Sequence, residues 1–110
     1  MDEVLEEKLR EIVRKPTERM SLFRRLSLPE QSTVLAQCSP HVQQALLNDL
    51  KNEEIAHIVD HLDPRLAESI LARIGDEKRR LRIIRRIKTE AREKIEYFLR
   101  FHPKATTALI

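Results

Sequence analysis

Glycine, cysteine and aromatic residues are nearly missing from this chain of 110 residues, which has one Gly, one Cys, no Trp, one Tyr and three Phe. Each scarcity excludes something. Gly75 stands alone, so there is no Gly-rich phosphate loop and little material for the tight turns of hairpins, and no sheet is expected. Cys38 excludes an internal disulfide and suits a reducing compartment. It occupies an apolar slot of the pattern described below, which predicts a buried core thiol. Apolar runs are short, Ala45-Leu46-Leu47 being an example, so no transmembrane span is expected. The start Met1-Asp2-Glu3-Val4 lacks the basic-then-apolar build of a signal peptide, which points to a cytoplasmic chain. Neither a nucleophile elbow nor a Cys–His pair with an orienting group is found, so the sequence does not read as an enzyme.

Leu, Ile, Ala, Arg, Glu and Lys dominate what remains, and these are helix formers. The 41% of hydrophobic residues is enough for one modest core, so the expectation is a single all-α domain over residues 1–110. Net charge is only +3. The basic charge is nevertheless local: the stretch KRRLRIIRRIKTEAREK from Lys78 to Lys94 holds nine Lys and Arg against two Glu.

The most specific signal is an internal repeat. From Leu26 an apolar residue recurs every twelve positions at Cys38, Leu50, Leu62 and Ile74, then after a one-residue insertion at Ile87 and Leu99. Further into each unit come the apolar pairs Val34-Leu35, Leu46-Leu47, Ile58-Val59, Ile70-Leu71 and Ile83-Ile84. Helix-start signals follow each repeat opener: Ser27 with Pro29 and Glu30 in capping-box form, Ser39-Pro40, Asn52, Asp63-Pro64, Asp76 and Thr89. Gly75 reads as a helix C-cap. Turns are predicted near residues 14–17, 26–28, 38–40, 50–52, 62–64, 74–76 and 87–89. Helices so short do not stand alone, because nucleation costs more than a few hydrogen bonds return. The units must therefore stack, and the regular step predicts an armadillo-like right-handed superhelix. Residues 1–26 read as two capping helices, about Asp2–Arg14 with Val4, Leu5, Leu9, Ile12 and Val13 on one face, and Thr17–Leu26. Residues 27–100 form the repeat and residues 101–110 a linker element.

The stretch LNDLKNEEIAHIVDHLDPRLAESILARI resembles the helices of the cytosolic N-terminal domain of MgtE-type magnesium transporters, and the tail EKIEYFLRFHPKATTALI strengthens the likeness. Phe101, Pro103, Thr106, Thr107 and Ala108 are similar to the family element that leads toward a pair of CBS domains, with Thr-Ala in place of Gly-Gly. The resemblance implies a non-catalytic cytosolic regulatory domain of a membrane transporter, working through contact with CBS domains. It also implies magnesium between acidic surfaces of the two partners. Arg65 and Ser69 stand where the family motif commonly carries acidic residues, so this domain alone is expected to bind magnesium weakly, and only where a partner adds carboxylates. Asp60, Asp63 and Glu68 nearby read as caps or solvated surface.

Other constellations are weaker. His57 and His61 share a helix face at metal-ligand spacing, but Ile58 sits where a zinc-hydrolase motif needs Glu, and no third ligand is near. The basic helix from Glu77 to about Lys88 sets Leu81, Ile84 and Ile87 on its apolar side. Arg79, Arg82, Arg85 and Arg86 are the candidate partner-binding residues. A protein partner is preferred over anionic lipid near the inner membrane surface and over nucleic acid, for which no stacking platform exists. The alternatives are a helical-repeat adaptor like that of the flagellar motor switch family, which His102-Pro103-Lys104 loosely resembles, and a basic nucleic-acid-binding module.

Overall fold

A computed structural model describes residues 3–87 together with Arg92, Glu93, Ile95, Tyr97 and Arg100. Among these residues there are seven helices and no strand: α1 Glu3–Arg14, α2 Arg19–Arg24, α3 Leu28–Gln37, α4 Pro40–Asp49, α5 Asn52–Val59, α6 Pro64–Ala72 and α7 Glu77–Arg86. The all-α class is as the composition implied. The chain divides into two compact units, Met1–Asp49 and Leu50–Ile110.

Most helices begin where the sequence carries an acceptor side chain. Ser27 Oγ accepts from the Glu30 N–H at 3.3 Å while Glu30 Oε1 accepts from the Ser27 N–H at 2.9 Å, the reciprocal pair of a capping box. Those bonds stabilise the carboxylate form and hold the Glu30 carboxyl below its ordinary range. Asp63 Oδ1 accepts from the Arg65 and Leu66 N–H groups at 2.9 and 3.1 Å, and Asp76 Oδ1 from those of Lys78 and Arg79 at 3.0 and 3.2 Å. Asn52 differs from its expected role. It is the first residue of α5 and the Lys51 N–H is taken instead by Glu54 Oε1 at 2.9 Å. The cap at Thr89 and the repeat opener Leu99 lie outside the described residues.

The repeat governs burial. Val34-Leu35, Leu46-Leu47, Ile58-Val59, Ile70-Leu71 and Ile83-Ile84 are all buried, as are the openers Leu26, Cys38, Leu50, Ile74 and Ile87. Leu62 is half-buried. Many openers also close the helix before them: the N–H groups of Leu26, Leu62, Ile74 and Ile87 donate three residues back, to Phe23, Val59, Leu71 and Ile84 carbonyls at 3.0–3.1 Å. This tightening of the last turn tucks the apolar opener under the helix it ends.

Within Met1–Asp49, α1 packs on α2 and α3, and α4 on α2 and α3; within Leu50–Ile110, α5 packs on α7. Each of these packed pairs joins next or next-but-one neighbours along the chain, the local kind of contact that stacked repeats make. On α1 the expected five-residue face narrows. Leu5 and Ile12 are buried and Leu9 is half-buried, while Val4 and Val13 are 65% and 43% exposed. Leu5, Leu9 and Ile12 follow one helical stripe and the two valines flank it at its more exposed edges. The second helix starts at Arg19, not Thr17, and the Arg19 guanidinium donates back to the Ile12 and Val13 carbonyls at 2.8 and 3.2 Å.

Gly75 is not the C-cap it promised to be. The helix ends at Ala72, Gly75 is exposed, and among the described residues no glycine or other residue has a positive φ. Without left-handed caps the terminal carbonyls need other donors. Side chains from the following helix supply them. Gln31 Nε2 donates to the Phe23 carbonyl at 3.2 Å, Gln43 Nε2 to Leu35 at 2.9 Å and the buried Arg80 to Ile74 at 2.8 Å. Gln31 and Gln43 hold the same register of the repeat, and Arg80 the same register once the insertion is counted.

Candidate partner-binding surface

The basic helix α7 carries its cations on two sides that do different things. The inward side is Arg80, Ile83, Ile84 and Ile87, all buried and spaced as one helical stripe. Leu81, expected on that side, is 44% exposed instead. The apolar phase is set by the pair Ile83-Ile84, and a residue two before that pair falls on the far side of a helix.

The four candidate arginines divide. Arg79 is half-buried and donates through Nε to Asn52 Oδ1 at 2.9 Å and through a terminal nitrogen to the Leu50 carbonyl at 2.8 Å, so it holds the start of α5 against α7. Arg86 lies 3.1 Å from Glu53 Oε1 in an exposed ion pair. Arg82 and Arg85 are exposed, and neither side chain makes a hydrogen bond or ion pair among the described residues. Sequence reasoning passed over Lys78 as a contact residue and misplaced Leu81. Both are exposed and both belong to the face of Arg82 and Arg85, because positions 78, 81, 82 and 85 follow the spacing i, i+3, i+4, i+7. That spacing, started at Lys78, was the available signal.

The acids near α6 do not gather into a cation site. Asp63 spends Oδ1 on two backbone N–H groups, Asp60 follows the end of α5, and the α6 face shows Arg65, Leu66 and Ser69 to solvent. Among the described residues no group of three or more His, Cys, Asp or Glu side chains is placed to hold a metal ion. His57 and His61 are exposed, and His61 Nδ1 lies 3.0 Å from the His57 carbonyl, which holds the ring against its own helix end. Cys38 is buried, and loss of water around it lifts the thiol from its ordinary 9.0 to about 11. None of the described helices is long and apolar enough to cross a membrane.

In Met1–Asp49 a cavity of about 190 Å³ is lined by Lys8, Glu11, Ile12, Leu22, Arg25 and Leu26. Its apolar floor is the joint between α1 and α2, and Lys8 at its edge leans 3.7 Å from Glu30.

Comparison with protein families returns one match that spans most of the chain: the family model of the MgtE intracellular N domain aligns with residues 4–104. Neither a curated protein nor a solved structure matches the chain.

Proposed function

The chain belongs to the MgtE intracellular N domain family, and from that membership we propose that it is a non-catalytic regulatory module on the intracellular side of a magnesium transporter system, acting by contact with CBS domains. The observation that carries this reading is the family match over residues 4–104, since it covers the repeat and the basic helix together. A second support is the division of α7, which leaves Arg82 and Arg85 exposed while Arg79 and Arg86 are held by Asn52, Leu50 and Glu53.

Such a module regulates by being attached or released, with no bond made or broken. Charge on its surface sets how fast and how selectively it meets a partner of opposite sign. With Arg65 and Ser69 on the α6 face, this chain brings few carboxylates to a shared magnesium site, so magnesium at the contact is held mainly by the partner. A calorimetric titration of the chain with the CBS pair of an MgtE-type transporter tests the reading. Saturable binding is the expected result, and absence of binding with or without magnesium contradicts it. Titration of the chain alone with magnesium should show no micromolar site.

A further inference from the structure

We propose that the outward stripe of α7, made of Lys78, Leu81, Arg82 and Arg85, docks an acidic protein surface directly, without a bridging divalent cation. This rests on the regulatory reading above and deepens it by naming the surface and its chemistry.

The cations of α7 that face inward or sideways are already used. Arg80 is on the Ile74 carbonyl, Arg79 on Asn52 and Leu50, and Arg86 on Glu53. The stripe is the remainder: three exposed cations with no hydrogen bond or ion pair from their side chains to described residues, set around an exposed leucine. Helix stability does not account for it. Arg85, in the last turn, gains from the helix dipole, but Lys78 sits in the first turn, where the dipole and the N–H groups disfavour a cation. Leu81, 44% exposed between cations, lies on the opposite side of the helix from the buried stripe of Arg80, Ile83, Ile84 and Ile87.

Charge complementarity decides the occupant. Two arginines present forks that match carboxylates, a lysine adds a point charge, and a leucine at the centre asks for an apolar contact flanked by acids. An acidic protein surface supplies both at fixed positions. Duplex DNA supplies regular charge but leaves Leu81 against a hydrated backbone, and no aromatic lies in the stripe to stack on bases. Because the positive charge is in the side chains, carboxylates of the partner are neutralised without magnesium.

The test uses the whole chain and two variants of equal charge change. One is Lys78→Glu/Arg82→Glu/Arg85→Glu in the stripe; the other is Arg10→Glu/Arg14→Glu/Lys15→Glu, three exposed positions on and just after α1. Circular dichroism confirms that each remains helical before binding is measured. Each protein is titrated with the CBS pair of an MgtE-type transporter in EDTA and in magnesium, at low and physiological salt, and separately with duplex DNA and phosphatidylserine vesicles. The expected result is binding that persists in EDTA, weakens with salt, falls about 10-fold or more in the stripe variant and stays within about 3-fold in the α1 variant. Binding that needs magnesium, or that the stripe variant keeps, overturns the stripe while the regulatory reading stands. No binding to the CBS pair under any condition overturns that reading and the stripe's occupant with it. Binding of DNA or vesicles at physiological salt that the stripe variant loses assigns the surface to nucleic acid or lipid and overturns the protein partner.

Discussion

In Met1–Asp49 the Leu35 carbonyl at the end of α3 is taken by the neutral amide of Gln43, whereas in Leu50–Ile110 the Ile74 carbonyl after α6 is taken by the guanidinium of Arg80. Both donors are buried, at 7% and 6% exposure, so neither bond competes with bulk water. The two solutions carry different costs. An amide that donates also brings an acceptor, and Gln43 Oε1 is buried without a partner. A guanidinium brings donors only, and Arg80 sits on the same buried stripe as Ile83 and Ile84 while its head reaches the backbone. The difference teaches that a basic helix is not by itself a binding surface. Part of its charge does for this repeat what glycine does for other helix ends.

Substitution at the two donors gives the largest effects and tests the comparison directly. Arg80→Met should lower unfolding free energy by about 2–3 kcal/mol, because a charged hydrogen bond is lost and a buried carbonyl is left unmatched. Gln43→Met should cost only about 1 kcal/mol, since the same substitution removes an acceptor that was already unsatisfied. Urea denaturation of both variants at neutral pH measures the pair. Equal losses would break the comparison.

Arg79→Lys comes next, at about 1 kcal/mol. A lysine keeps the charge but lacks the fork that reaches Asn52 Oδ1 and the Leu50 carbonyl together. The same denaturation experiment reads it, and a neutral outcome would mean that charge alone matters at this joint.

On the outward side of the same helix, Arg82→Glu with Arg85→Glu should change stability by no more than about 1 kcal/mol, most of it from reversing the favourable charge of Arg85 at the helix C-terminus. A loss comparable to that of Arg80→Met would show that the two sides of α7 are not separate in function.

A last contrast between the units appears only at high pH. Cys38 in Met1–Asp49 has its thiol raised from 9.0 to about 11 by burial, so the folded form holds its proton where the unfolded form has lost it. Stability from this group is therefore complete below about 9 and is lost as pH rises through about 11. Melting curves between those pH values should show the decline, and Cys38→Ala should flatten it. At pH 8 a thiol reagent should label the native chain far more slowly than the urea-unfolded chain.

Most of the helix pattern was legible because it rests on local chemistry. Ser27, Asp63 and Asp76 cap helices at the places where their side chains and the following Pro or Glu demanded it, and the buried pairs from Val34-Leu35 to Ile83-Ile84 follow the twelve-residue period. Asn52 misled because an amide that resembles a cap by position can be claimed by a distant arginine, here Arg79 at 27 residues' separation. The outward stripe of α7 was half legible. Arg82 and Arg85 were identifiable as exposed cations, but Lys78 and Leu81 could be assigned to the same face only once the phase of α7 was known.

What the sequence alone determined was the class, the repeat and the family, since helix propensity, caps and apolar period are properties of neighbours along the chain. What tertiary structure decided was the fate of each cation. Whether Arg79, Arg80 and Arg86 serve the fold or Lys78, Arg82 and Arg85 face solvent depends on which carbonyl or carboxylate another helix brings within hydrogen-bond reach, and no local pattern specifies that distance.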